Sequence, residues 1–260
     1  MKTLTKSIVS DENKVKAFSQ KDVIASTVYL QNCIEGMKKY PDNHFDLAIV
    51  DPPYGINATN MQMGSNPNRK EAGQYPGTST AVKLKGRLNS GGGKLKNRIL
   101  NKSLINWDNE TPSKEYFEEL FRVSKNQIIW GGNYFDLPPT RCFIIWNKNQ
   151  PWDNFSQAEF AWTSFDRPAK LFTYSNRGGN NEETKIHPTQ KPVYLYDYCL
   201  KHFAEAGMKI LDTHLGSGSS RISADKARLD FTAFEINPVY YNDQQKRYIK
   251  YKGQLRIDFD

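Results

Sequence analysis

Ile210-Leu211-Asp212-Thr213-His214-Leu215-Gly216-Ser217-Gly218-Ser219-Ser220 reads as a short apolar strand, an acid, a glycine-containing turn and the start of a helix. Glycines at such a turn let the backbone approach a ligand closely. Glu235 follows Asp212 by 23 residues, at the end of the next β-rich run, Phe231 to Phe234. An acid at that point is placed to accept hydrogen bonds from ribose hydroxyls. No Gly-Lys-Ser/Thr follows the turn, which excludes a P-loop. Arg221 stands where a dinucleotide fingerprint would put its third glycine, which argues against a nicotinamide oxidoreductase. Alone, the turn is also readable as a plain strand-to-helix connection; with Glu235 it becomes a nucleoside-binding half-site.

The second informative stretch lies far upstream. Phe45 to Val50 is a near-continuous apolar run, as a strand buried on both faces requires, and it stops at Asp51-Pro52-Pro53-Tyr54-Gly55. Two prolines fix φ and remove two amide donors, leaving carbonyl oxygens beside an acid and an aromatic ring. Such a cluster at the carboxyl end of a sheet strand lies where open α/β folds bind ligands.

Between and around these stretches, strand-like and helix-like runs alternate. Strands are expected at Thr27–Leu30, Gln127–Trp130, Cys142–Trp146, Phe160–Phe165, Leu171–Tyr174 and Lys209–Leu211. Helices are expected through Ile34–Met37, from Thr111 as N-cap with Pro112 at its first position, over Thr189–Phe203 and from Ser220. Alternation with short connections predicts one α/β domain over residues 1–260, built on a mostly parallel twisted sheet with helices on both faces.

Composition fits a folded chain that is soluble and cytoplasmic. Hydrophobic residues make up 38% and the 14 Phe, 14 Tyr and 5 Trp are too many for a disordered chain. No apolar run is long enough to span a bilayer, and Met1 to Gln20 lacks the apolar core of a secretory signal. Cys33, Cys142 and Cys199 are widely spaced and form no CxxC pair, against both a disulfide framework and a structural zinc site. No acidic or His-rich cluster suggests a metal. The net charge of +8 is concentrated in residues 61–102, where Arg69, Lys70, Lys83, Lys85, Arg87, Lys94, Lys96, Arg98 and Lys102 face Glu71 alone. Seven of the 17 glycines fall there too, so the segment reads as a long, mobile basic loop. It is either a solvated insertion or an arm that closes on a polyanion by releasing counterions from phosphates.

With both motifs in hand, the chain resembles the S-adenosylmethionine (AdoMet)-dependent amino methyltransferases that modify exocyclic nitrogens in DNA, in the group whose catalytic tetrad precedes the AdoMet loop. Asp51-Pro52-Pro53-Tyr54 matches the catalytic motif, His187-Pro188-Thr189-Gln190-Lys191-Pro192 the segment just upstream of the AdoMet loop, Leu211 to Gly218 that loop, and Glu235-Ile236-Asn237 the ribose-binding acid and its neighbours. Gln31-Asn32 replaces the family's usual Gly-Asp, and His214 stands where Phe is common.

The resemblance implies a Rossmann-like methyltransferase fold with circularly ordered motifs and a site-specific methyl transfer from AdoMet to N6 of a flipped adenine. Asp51, Pro52, Pro53 and Tyr54 would be catalytic. Cofactor binding would fall to Asn32, Asp51, His187, Thr189, Gln190, Lys191, Asp212, Thr213, Gly216, Ser217, Gly218, Glu235, Ile236 and Asn237. DNA would be met by the basic loop (Arg69, Lys70, Lys83, Lys85, Arg87, Lys94, Lys96 and Arg98) and by Trp152. Residues 148–186 would form a short target-recognition region containing Trp152, Phe155, Phe160 and Trp162, with core packing the alternative for half of these aromatics. His44, His202 and His214 are expected to be structural or on the surface.

Double-stranded DNA is the expected partner, with no membrane; a homodimer and a cognate restriction endonuclease stay open. N4-cytosine transfer is the alternative within the same chemistry, although Ser is more usual than Asp before the two prolines there. A basic DNA-binding protein with a decayed methyltransferase fold is the alternative of another class. Deleting residues 61–102 is expected to weaken DNA binding and to flatten the dependence of log Kd on log salt, measured by fluorescence anisotropy.

Overall fold

The computed structural model describes residues 24–58, 107–149, 156–175 and 185–254. The basic residues Arg69, Lys70, Lys83, Lys85, Arg87, Lys94, Lys96 and Arg98, the rest of the 61–102 insertion, and Trp152 lie outside them. The described strands are β1 Ser26–Leu30, β2 Phe45–Val50, β3 Ser124–Trp130, β4 Phe143–Asn147, β5 Ala158–Thr163, β6 Lys170–Thr173, β7 Lys209–Asp212 and β8 Asp230–Glu235. The helices are α1 Cys33–Met37, α2 Lys114–Val123, α3 Val193–Phe203, α4 Ser219–Lys226 and α5 Pro238–Lys252, with one 3-10 turn at Gly132–Tyr134.

All eight strands form one sheet in the order β1-β8-β7-β2-β3-β5-β4-β6. Every neighbouring pair is parallel except those made by β5, which runs against both β3 and β4. The fold is Rossmann-like, with a mostly parallel mixed sheet. Two of the strands lie inside 148–186, so that interval contributes to the sheet itself.

Alternation along the strands divides the core into two layers. Leu47 and Ile49 of β2 pack with Ile128, Trp130 and Ile210 under α3, through Leu195, Tyr196, Cys199, Leu200 and Phe203. Ala48 and Val50 face the other way, with Ile129, Leu211 and Phe234, against Met37 of α1 and Tyr116, Leu120 and Val123 of α2. A strand covered on both sides cannot alternate apolar with polar residues, which is why β2 is apolar nearly throughout.

The helix boundaries follow their caps. Ser113, not Thr111, caps α2: its hydroxyl accepts from the Tyr116 amide, and Thr111 and Pro112 lie before the helix. The Thr189 start expected for α3 moves to Val193, because Pro192 is extended and takes the N-cap position. Asn237 and Pro238 start α5, a helix absent from the expectations above. The sequence carries that signal as an Asn cap followed by Pro at the first helical position. α5 has little amphipathic stripe, with Tyr240 and Gln244 its buried residues, so periodicity does not announce it.

α1 approaches β8 so closely that a Cβ at Gly36 would sit 2.3 Å from the Phe234 ring. Gly36→Ala is expected to destabilise the protein by about 1–3 kcal/mol through overpacking, read as a lowered unfolding midpoint in urea.

Candidate active site

β2 and β7 pair in parallel, Leu47 opposite Ile210 and Ala48 opposite Leu211. Their carboxyl ends therefore lie side by side. From β7 the sheet continues to β8 in one direction, and from β2 to β3 in the other. The loops after β2 and β7 thus diverge across a topological switch point, where open α/β sheets form their ligand crevice. A cavity of about 210 Å³ lies there, lined from the first loop by Asp51 and Pro53 and from the second by Thr213, Leu215, Gly216 and Ser217. Asn32, Glu235, Ile236, His187, Thr189, Gln190 and Lys191 complete the part expected from the sequence.

The glycine turn is held by two acids. Both oxygens of Asp212 point into the loop itself, accepting from the His214 amide and the Ser220 hydroxyl. Asp212 therefore shapes the turn and does not line the cavity. Burial drives its carboxyl up to about 7, against those two hydrogen bonds. Glu235 accepts from the Gly216 amide at 2.8 Å and the Asn237 amide at 2.8 Å. Burial raises this carboxyl too, with the same amides opposing.

Gly216 and Gly218 have φ of +52° and +76°, a left-handed backbone that side chains resist. Gly218 packs against Gln244 and Asn237 caps α5, so these two also stand behind the cavity wall. Asn32 lines the cavity, but its Oδ1 already caps α1 through the amides of Ile34 and Glu35.

His187 is packed between Trp107 and Tyr240, with ring centroids 5.3 and 4.3 Å away. Burial, then the nearby Lys191 charge, push its imidazole down to about 3, so it is neutral. His214, expected to be structural or exposed, instead lines the cavity, and burial drives it down to about 4. Its ring reaches Cys33 Sγ at 4.0 Å. His44 packs on Tyr40 and Phe45, and His202 on Tyr198, as structural residues do. Trp107, Cys33 and Tyr196 also line the cavity and were not singled out from sequence. Trp107 follows the 59–106 interval with no motif around it to mark it.

The Asp-Pro-Pro-Tyr turn is built from both sides. Asp51 Oδ1 accepts from the Tyr54 hydroxyl at 2.7 Å, and Oδ2 pairs with Lys191 Nζ at 2.6 Å. Lys191 also donates to the Tyr54 oxygen at 3.1 Å. The ammonium expected to serve the cofactor is thus directed at the acid of the tetrad. Pro52 is buried behind this group. The Tyr54 ring is stacked on Tyr134 at 5.0 Å and 14°. Gly131, at φ +72°, lies beneath the Tyr54 ring, and a Cβ there would come within 2.1 Å of it.

Asp108, buried to 1% exposure, holds the backbone after the tetrad. One carboxylate oxygen accepts from the Tyr54 and Gly55 amides, the other from the Ala58 amide, at 2.7–2.9 Å. No sequence motif marks it, since the contact joins residues some fifty positions apart.

Among the described residues, no group of three or more His, Cys, Asp or Glu side chains is arranged to hold a metal ion. No helix among them is long and apolar enough to cross a membrane. The cavity does suit a nucleoside-bearing ligand: the Glu235 carboxylate, Gly216, Trp107, and Asp51 and Pro53 of the tetrad all line it.

Comparison with known proteins places these features in context. The model of the N6/N4 DNA methylase family matches residues 102–246. The type II methyltransferase M2.MboI of Moraxella bovis is 22% identical over 275 residues, spanning 95% of this chain and 96% of that protein. The solved PvuII DNA methyltransferase, a cytosine-N4-specific enzyme, superposes with a TM-score of 0.53 at 13% identity, covering 91% of this chain and 89% of the other. The M1.HpyAVI–SAM complex gives a TM-score of 0.46 at 17% identity, with coverages of 85% and 98%.

Asp108→Ala leaves three inward-facing amides without their carboxylate and is expected to cost roughly 3 kcal/mol of stability in urea unfolding. Asp108→Asn keeps one acceptor oxygen and is expected to cost less.

Proposed function

The chain belongs to the N6/N4 DNA methylase family, and we propose that within it the protein methylates N6 of an adenine swung out of the DNA helix. The observation that carries this reading is the shared crevice: Asp51 of the tetrad and Glu235 beyond the glycine turn line one and the same cavity. AdoMet supplies an electrophilic methyl on a sulfonium centre. Glu235 and the glycine turn would hold its ribose, with Trp107 beside its base and the loop around Thr213, Gly216 and Ser217 beside the rest.

An adenine amino group is a weak nucleophile, because its lone pair is delocalised into the ring. Position and electrostatics therefore carry the work left to the protein. Asp51 and the Pro52 carbonyl accept hydrogen bonds from the two amino N–H groups, which orients the nitrogen lone pair out of the ring plane. In this reading Tyr54 stacks on the extruded base, a contact worth about 1–3 kcal/mol. The Asp at the head of the tetrad favours adenine, since cytosine-N4 enzymes more often carry Ser there. Basic residues of the 61–102 segment and Trp152 supply phosphate and base contacts in this reading, and residues 148–186 contribute to target choice.

Asp51→Ala is expected to abolish transfer of tritium from labelled AdoMet to DNA while AdoMet binding by calorimetry stays within about threefold, since the interaction lost acts in the transition state. Digestion of the product to nucleosides should yield N6-methyldeoxyadenosine by mass spectrometry. N4-methyldeoxycytidine would assign the protein to the cytosine chemistry instead.

A further inference from the structure

Asp51 and Lys191 are the end of a longer chain of buried charge. Lys191 Nζ lies 3.0 Å from Glu159 Oε2 as well as 2.6 Å from Asp51, and Glu159 Oε1 is in turn 2.6 Å from Lys148 Nζ. The four alternate in sign. They come from separate elements: the end of β2, the start of α3, β5, and the residue just past β4. Glu159 Oε2 is fully buried and already in ion-pair contact with the ammonium that Asp51 holds more closely.

The occupancy of Asp51 gives this second, longer contact a use. Both of its oxygens are engaged, one by the Tyr54 hydroxyl and one by Lys191. An amino group entering as donor therefore competes with a buried ammonium, and an ammonium displaced without a new partner would oppose binding strongly. An ammonium has three donors on a flexible stem, so reaching the second carboxylate takes only a small rotation.

We infer that Lys191 is a positioning residue shared between two carboxylates, and that Glu159 receives its ammonium when Asp51 turns to the amino group of the target base. The inference rests on the proposed function in taking Asp51 as the acceptor of that amino group. No proton or bond is exchanged; hydrogen-bond partners are. Lys148 keeps Glu159 charged and in place, and the Ser219 hydroxyl, donating to the Lys191 carbonyl at 2.7 Å, ties the lysine to the helix that follows the glycine turn.

The charges have opposite effects on Asp51, and the loss of kcat in Glu159→Gln separates a shared cation from a merely structural one. The groups facing Asp51 are Lys191, Glu159, Tyr54, Tyr116, Tyr196 and Asp212. Burial raises the Asp51 carboxyl, Lys191 lowers it and Glu159 raises it. Removing Lys191 should therefore move Asp51 titration to higher pH, and removing the Glu159 charge should move it lower.

The test uses Lys191→Met and the near-isosteric Glu159→Gln in the full chain, with Asp51 followed by carboxyl ¹³C NMR and methyl transfer by tritium incorporation. Lys191→Met is expected to raise the Asp51 midpoint by about one pH unit or more. It is also expected to lower kcat roughly 100-fold with little change in KM for AdoMet. Glu159→Gln is expected to lower the midpoint and to reduce kcat about tenfold. Midpoints that move in the same direction, or do not move, overturn the inference, as does full kcat in either variant. Where Lys191→Met does not fold, the Glu159→Gln midpoint and kcat decide alone. Absence of methyl transfer to DNA by the unaltered protein overturns the reading beneath it and with it the role of Glu159. That result is told apart from a failed inference by the NMR titration, which needs no activity.

Discussion

The parallel pairing of β2 with β7 is the constraint on which the site depends. Parallel neighbours end at the same edge of a sheet, so whatever follows each strand must emerge beside the other. The two strands stand some 160 residues apart in the chain, yet their register brings Asp51 and Asp212 to a common rim. Because the next strands lie on opposite sides, the two loops part and leave a crevice instead of filling it. The acceptor motif and the nucleoside loop meet through this pairing.

The rim carries a heavy load of buried charge. Asp108, Asp212, Lys191 and Glu235 are buried, and Asp51 and Glu159 are largely so. Burial alone would neutralise such groups. Here each has partners that offset the cost: backbone amides for Asp108 and Glu235, an amide and a hydroxyl for Asp212, and lysines for Asp51 and Glu159. Lys148 and Lys191 bring Glu159 down to about 2 despite its burial. Removing one member of a buried ion pair generally costs about 3–5 kcal/mol, so this concentration burdens stability and belongs with function. The core away from the rim is ordinary by comparison, apolar on both faces of β2.

The fold was legible from alternation. Phe45–Val50 could be read as a doubly buried strand because no polar residue interrupts its second half, and β7, the glycine turn and β8 could be read because glycine and acid recur at fixed distances. Boundaries slipped where caps compete: Thr111 and Ser113 are both good N-caps, and the backbone chose the later one. α5 escaped notice because burial of Tyr240 and Gln244 makes no clear stripe. In the site, residues inside motifs were found and those outside were not. Lys191 was visible as part of a motif, but its ionic partners were not, because Glu159 reaches it from a strand whose sequence advertises only β structure. Asp108, Trp107 and Tyr196 enter through contacts across the sheet that no local spacing encodes. Asp212, Gly218 and Asn237 belong to the motifs yet support the wall from behind, a distinction that only packing draws.

The clasp at Asp108 has a wider consequence. Its carboxylate and its carbonyl, which accepts from the Asn57 amide at 2.8 Å, tie residues 54–58 to Asp108 on the far side of the 59–106 interval. Once such a neck is fastened, doubling the length of what is threaded through it adds only about 0.6 kcal/mol of closure entropy. Chimaeras that exchange residues 59–106 for a stretch of different length or charge would keep the same neck.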